Sequence, residues 1–202
     1  MYRCEIRGFP VPVVTLHPGE YFSTDEDLIL STVLGSCVAV ALFDPARGIG
    51  GLNHFMLPGS VDAARPLLSD AARYGMYAME LLINDLLKKG VRKQDLRAKV
   101  FGAASLLEFS GGVSGRISDS NIRFTFSYLE DEGIPVLARD VGGALPRKIF
   151  LYSRTGKVLL KRIPRTRLTA IRKEESGFLR EIRTREAGPV VLFGGDGPEP
   201  GA

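Results

Sequence analysis

The chain has 202 residues, 45% of them hydrophobic and 25% charged, with a formal net charge of +4, the balance of a soluble globular domain with length for one full core rather than two. No apolar run approaches membrane-spanning length, and Met1 to Phe9 interleaves Arg3, Glu5 and Arg7 instead of following a basic start with an apolar stretch, so a cytoplasmic protein without membrane insertion is expected. Two cysteines and two histidines, with no close Cys-x-x-Cys or His-x-x-x-His spacing, argue against a zinc site, and no metal or cofactor is expected.

In chain order, residues 11–15 predict a short strand, and Pro12 suggests a sheet edge. A polar turn follows through His17-Pro18-Gly19-Glu20, then an acidic patch at Asp25-Glu26-Asp27. Residues 28–34 are apolar and bear the hydroxyls of Ser31 and Thr32; Gly35-Ser36-Cys37 ends the run. Residues 38–43 read as a buried strand, Asp44-Pro45-Ala46-Arg47-Gly48 as a turn, and residues 49–57 as its returning partner in a β-hairpin.

Residues 69–90 predict the clearest helix, capped by Ser69 or Asp70, with an apolar stripe of Tyr74, Tyr77, Ala78, Leu81 and Leu82. Residues 98–104 predict a strand and 110–115 a Gly- and Ser-rich loop. Residues 118–133 fit both periods; Ser118 or Asp119 as cap and Gly133 as stop favour helix. A strand at 134–139 and a hairpin of 148–152 with 157–163 around Arg154-Thr155-Gly156 complete an α/β or α+β domain. Residues 165–187 predict a basic amphipathic appendage, and Gly194 onward a disordered tail. From Arg147 to Arg185, 13 Lys/Arg stand against 3 Asp/Glu, a segment suited to an acidic partner or to a solvated face. Its aromatics are sparse and no nucleic-acid motif occurs, so no nucleic-acid partner is expected.

Any thiol–imidazole chemistry must draw on Cys4, Cys37, His17 and His54. Cys4 lies near the terminus and His17 in a turn without a nearby thiol. Cys37 follows Gly35 and Ser36, where a sharp turn can leave backbone N–H groups free for an oxyanion. If Pro45-Ala46 is the two-residue tip of the hairpin, Asp44 pairs with Arg47 and Cys37 falls directly opposite His54, within reach of a thiol–imidazole contact. An imidazole beside a thiol takes its proton and later protonates the departing group; Ser31 or Thr32 is the candidate to hold the ring. The pairs Gly50-Gly51 and Gly111-Gly112 do not form a phosphate-binding fingerprint.

The run from Leu30 to Val40, then Asp44-Pro45 and Gly51 to Pro58, resembles the CheD family of chemoreceptor glutamine deamidases. The resemblance continues through Ala98 to Gly102, Asn121, Gly133-Ile134-Pro135-Val136, Asp140-Val141-Gly142-Gly143 and the hairpin to Ile163. It implies an α/β layered sandwich of mixed β-sheets with flanking helices, similar to the catalytic domain of cytotoxic necrotizing factor. It also implies a Cys-His-Thr set that hydrolyses receptor glutamines to glutamate, a weaker methylesterase side activity in some members, and the phosphatase CheC as a partner in many bacteria. By this resemblance Cys37 is the nucleophile and His54 the base, while the threonine falls on Ser31, with Thr32 beside it. The resulting division is a deamidase domain over 1–163, a basic extension over 164–193 and a tail over 194–202. The alternative is a non-catalytic adaptor that binds methyl-accepting receptors or a CheC-type phosphatase.

Overall fold

Two five-stranded sheets and a layer of helix stack on one another in the computed structural model, which describes residues 1–62, 64–106 and 113–184. In spatial order the first sheet contains β1 (Tyr2–Cys4), β2 (Val13–Thr15), β4 (Ile29–Leu34), β9 (Arg147–Tyr152) and β10 (Val158–Arg162). The second contains β3 (Tyr21–Thr24), β6 (Ile49–Asn53), β5 (Val38–Asp44), β7 (Arg97–Gly102) and β8 (Val136–Val141). Both are mixed: β2 runs parallel to β4 and β7 parallel to β8, and the other pairs are antiparallel. The expected layered α/β architecture is present.

Side-chain alternation along buried strands produces two cores. Val38, Val40 and Leu42 of β5 face helices α1 (Asp70–Lys88) and α2 (Val113–Asp131), packing with Met79, Leu82, Phe124 and Leu129. Cys37, Ala39 and Ala41 face the first sheet and meet Leu30, Leu34, Ile149 and Leu151. A third helix, α3 (Leu168–Thr184), adds Leu179 and Ile182 to this second core.

Several elements differ from the sequence reading. β2 lies between β1 and β4 rather than at an edge; Pro12 precedes it, and its carbonyl accepts from Ile29 N–H at 3.0 Å. β3 is an additional strand, paired with β6. α2 confirms helix over strand at 118–133 and starts at Val113, within the stretch expected as loop. Ser69 caps α1 as expected, accepting from Ala72 N–H at 3.2 Å. The buried stripe of α1, however, is Ala72, Gly75, Met79, Leu82, Ile83 and Leu86, and Tyr77 is 62% exposed. The reason is close packing at Gly75, where a Cβ would lie 2.4 Å from the Phe124 ring, so the helix turns its smallest residue to α2. The expected appendage is helical through Thr184; its last residues and the tail lie outside the described residues.

Candidate active site

The segment Gly35-Ser36-Cys37 carries the chain from β4 in one sheet to β5 in the other. All three carbonyls are tied back: Gly35 O accepts from Ala104 N–H at 2.6 Å, Cys37 O from Ala103 N–H at 2.6 Å and Ser36 O from Asn121 Nδ2 at 2.8 Å. Asn121 Oδ1 also accepts from Leu57 N–H at 2.9 Å, which couples the loop to the segment just beyond His54. Approach is tight: Gly102 has φ +113, and a Cβ there would lie 2.2 Å from Cys37 O. With its carbonyls held on one side, the loop turns three successive N–H groups to the other, the concave arrangement that binds anions.

Those donors are not free, contrary to the sequence reading. The carboxylate of Glu175 on α3 fills the concavity, accepting from Gly35 N–H at 2.9 Å, Cys37 N–H at 3.1 Å and Ser36 N–H at 2.8 Å. Glu175 is 2% exposed.

The Cys37–His54 relation also differs in register but not in face. Asp44 pairs with Ile49, not Arg47, and Val38 bridges to Phe55. The tip holds four residues because the Asp44 carboxylate accepts from Ala46 and Arg47 N–H at 2.9 and 3.2 Å, and Gly48 N–H closes on Asp44 O at 3.0 Å. Cys37 therefore stands across from Met56, and His54 across from Ala39. A slip of one residue would have turned the pair to opposite faces, whereas this slip is even and leaves both on the inner face as diagonal neighbours.

His54 is held from the first sheet. Thr32 Oγ1 donates to Leu16 O at 2.8 Å, which leaves its lone pairs to accept from His54 Nδ1 at 2.7 Å. That chain assigns the ring proton to Nδ1 and leaves Nε2 with a bare lone pair. Nε2 is buried and has no hydrogen-bond partner among the described residues; the same is true of Ser36 Oγ. Burial, with the nearby His17 charge adding to it, pushes the His54 pKa down to about 3, so the imidazole is neutral at neutral pH. Cys37 is fully buried, and its thiol pKa is raised well above its ordinary value, first by burial and then by the charge and hydrogen bond of Glu175. Thiol and imidazole both stay uncharged in this arrangement.

The two hydroxyl candidates separate cleanly. Thr32 faces the inner core and touches His54, whereas Ser31, one residue earlier, faces the outer side of the first sheet, where its Oγ has no partner among the described residues. Cys4 is a half-buried free thiol in β1, and His17 Nδ1 lies 3.3 Å from Glu174 of α3. Arg147, counted in the basic segment, is fully buried and bonds Asp140 and the carbonyls of Asp140, Gly142 and Leu145, so it contributes no surface charge. Glu175 was missed by sequence reasoning. Its signal is periodic: the buried positions of α3 are Ile171, Glu175, Leu179 and Ile182, a carboxylate in a row that helical spacing reserves for apolar residues.

A family model described as CheD chemotactic sensory transduction matches residues 56–162. The probable chemoreceptor glutamine deamidase CheD of Methylobacillus flagellatus is 46% identical over 93% of this chain and 92% of its own. That of Herminiimonas arsenicoxydans is 39% identical over 93% of this chain and 92% of its own. Among solved structures, YlmD from Geobacillus stearothermophilus is similar with a TM-score of 0.39 and 14% identity, over 60% of this chain and 50% of that one.

Proposed function

Because this chain belongs to the CheD family, we propose that it is a cysteine hydrolase that converts glutamine side chains of chemotaxis receptors to glutamate, as the names of its relatives state for those proteins. The observation that carries the reading is the Leu16–Thr32–His54 chain. It leaves Nε2 with a bare lone pair on a residue that shares the inner face with Cys37, whose own N–H converges with those of Gly35 and Ser36.

Chemistry follows from those parts. His54 Nε2 takes the Cys37 proton, and the thiolate attacks the side-chain amide carbon of glutamine. The oxygen of the tetrahedral species is held by N–H groups of Gly35, Ser36 and Cys37. Collapse breaks the C–N bond; His54 returns its proton to the leaving nitrogen, ammonia departs and a thioester remains. A water that gives its proton to His54 then attacks the thioester, the C–S bond breaks, and glutamate and the free thiol are restored. Thr32 keeps the Nδ1 proton in place through the cycle and fixes the ring's orientation.

The test is mass spectrometry of receptor peptides incubated with wild type and with Cys37→Ala. Conversion falls roughly a thousandfold or more in the variant; equal conversion by both would remove Cys37 from the chemistry and this reading with it.

A further inference from the structure

Glu175 sits where this reaction needs an empty site. Its side chain is the product of glutamine deamidation, and both carboxylate oxygens lie on the N–H groups of Gly35, Ser36 and Cys37 at 2.8–3.1 Å. It also stands next to the Cys37 thiol, whose pKa, raised first by burial, its charge raises further. The group is delivered by a helix: Ile171 meets Ala104 and Leu106 on one side of the loop, while Leu179 and Ile182 enter the core between the sheets on the other. Phe178 covers Gly19, Glu174 meets His17, and Arg183 donates to Pro58 O at 2.8 Å. No ion pair to a cation accompanies the buried carboxylate among the contacts of the described residues. Backbone donors alone hold it, as they would hold a neutral amide oxygen or a nascent oxyanion.

We propose that the seat of α3 is the substrate-docking surface: a glutamine borne on an amphipathic helix replaces α3, and its side-chain oxygen enters the N–H concavity now filled by Glu175. This deepens the deamidase reading and rests on it. Three observations converge on it. The occupying side chain has the chemistry of the product, it arrives on a helix whose buried row is otherwise apolar, and two buried polar atoms, Ser36 Oγ in the loop and His54 Nε2 on the face shared with Cys37, lack partners among the described residues. The closed form is silent for two physical reasons. The thiol is covered, and its ionisation is opposed by burial and by the adjacent carboxylate. Departure of α3 removes both. Substrate competes with a tethered occupant, so the apparent affinity is divided by the fraction of open molecules.

The experiment compares full-length wild type, Glu175→Ala and the isosteric Glu175→Gln, each checked for native circular dichroism. The readouts are iodoacetamide labelling of Cys37, steady-state deamidation of a receptor helix peptide, and mass analysis of residue 175. In the alanine variant, labelling accelerates about tenfold or more and KM falls with kcat little changed, the size expected when charge-assisted hydrogen bonds are lost. In Glu175→Gln the introduced amide is itself hydrolysed. That conversion is first order, independent of protein concentration and absent when Cys37→Ala is added. Unchanged labelling and unchanged KM in both folded variants overturn the docking proposal, while conversion of receptor peptide by wild type leaves the deamidase reading intact. Loss of activity in both variants without faster labelling also overturns it, by making Glu175 a brace for the loop. Faster labelling with no receptor glutamine converted by any form overturns the proposal together with the deamidase reading.

Discussion

β5 has two faces that solve different problems. Toward α1 and α2 it presents Val38, Val40 and Leu42 to a cluster of apolar side chains. Toward the other sheet it presents Ala39 and Ala41, in line with Cys37 just before it, and this smaller row leaves room for polar groups: Ala39 stands across from His54, whose ring reaches Thr32 on β4. Burying an imidazole costs stability unless its polar atoms are satisfied, and here one nitrogen is satisfied while the other has no partner among the described residues. The helix side packs apolar side chains around a polar group, Asn53, whose amide is engaged with Val40 N–H, Ala78 O and Met79, while the sheet side accepts an incomplete polar set around a thiol. Apolar packing and the candidate site thus lie on opposite faces of one strand.

That division can be broken most forcefully with pH. In the folded chain His54 takes up a proton only near pH 3, against about 6.5 in the unfolded chain. Between those values the unfolded state binds one more proton, so stability falls as pH falls, by about 1.4 kcal/mol per unit where the difference is complete. Above about 6.5 the imidazole is neutral in both states and contributes no slope. Urea unfolding of wild type and His54→Gln from pH 4 to 7 measures the difference. Stability of wild type relative to the variant declines toward pH 4; parallel curves would mean that the imidazole is not buried neutral. Next in size is Leu42→Ala on the helix side. It costs about 3 kcal/mol of unfolding free energy through the cavity it leaves, and kcat of the folded fraction stays unchanged. A large loss of kcat at undiminished stability would show that the two faces are not independent.

The legible part of this protein is local. Cys37 and His54 are drawn from only four thiol and imidazole side chains and flank one turn, so their pairing survives an error in the turn: Asp44 adds two residues to the tip, and an even slip preserves the face. The less legible part is set by tertiary contact. β3 (Tyr21-Phe22-Ser23-Thr24) spans only four residues between a polar turn and an acidic patch, too short for a periodic signal, and forms by pairing with β6. Gly51 of β6 has no ligand role in its pattern; a Cβ there would lie 2.6 Å from Leu82 and 2.9 Å from Ser23, so it admits α1 to the sheet. Glu175 meets Gly35 across 140 positions of chain, a separation over which no local spacing operates. Only the charged position in the apolar row of α3 marks it in advance.

The choice between Ser31 and Thr32 is the finest test, because adjacent strand residues differ only in face. Thr32→Val keeps the shape of the side chain and removes the acceptor for His54 Nδ1 and the donor to Leu16 O. The ring loses the contact that fixes its proton and its angle, and kcat for receptor peptide falls roughly tenfold to a hundredfold, with KM little changed. Leu16 O and Nδ1 are left unpaired, which lowers stability by about 1–3 kcal/mol. Ser31→Ala deletes a hydroxyl on the far side of the sheet that has no partner among the described residues and leaves kcat unchanged. Steady-state kinetics of the two variants side by side decide the matter. If the serine variant fails and the valine variant works, the third member of the site follows the sequence position of the family threonine, and the inner face of β4 holds His54 for packing only.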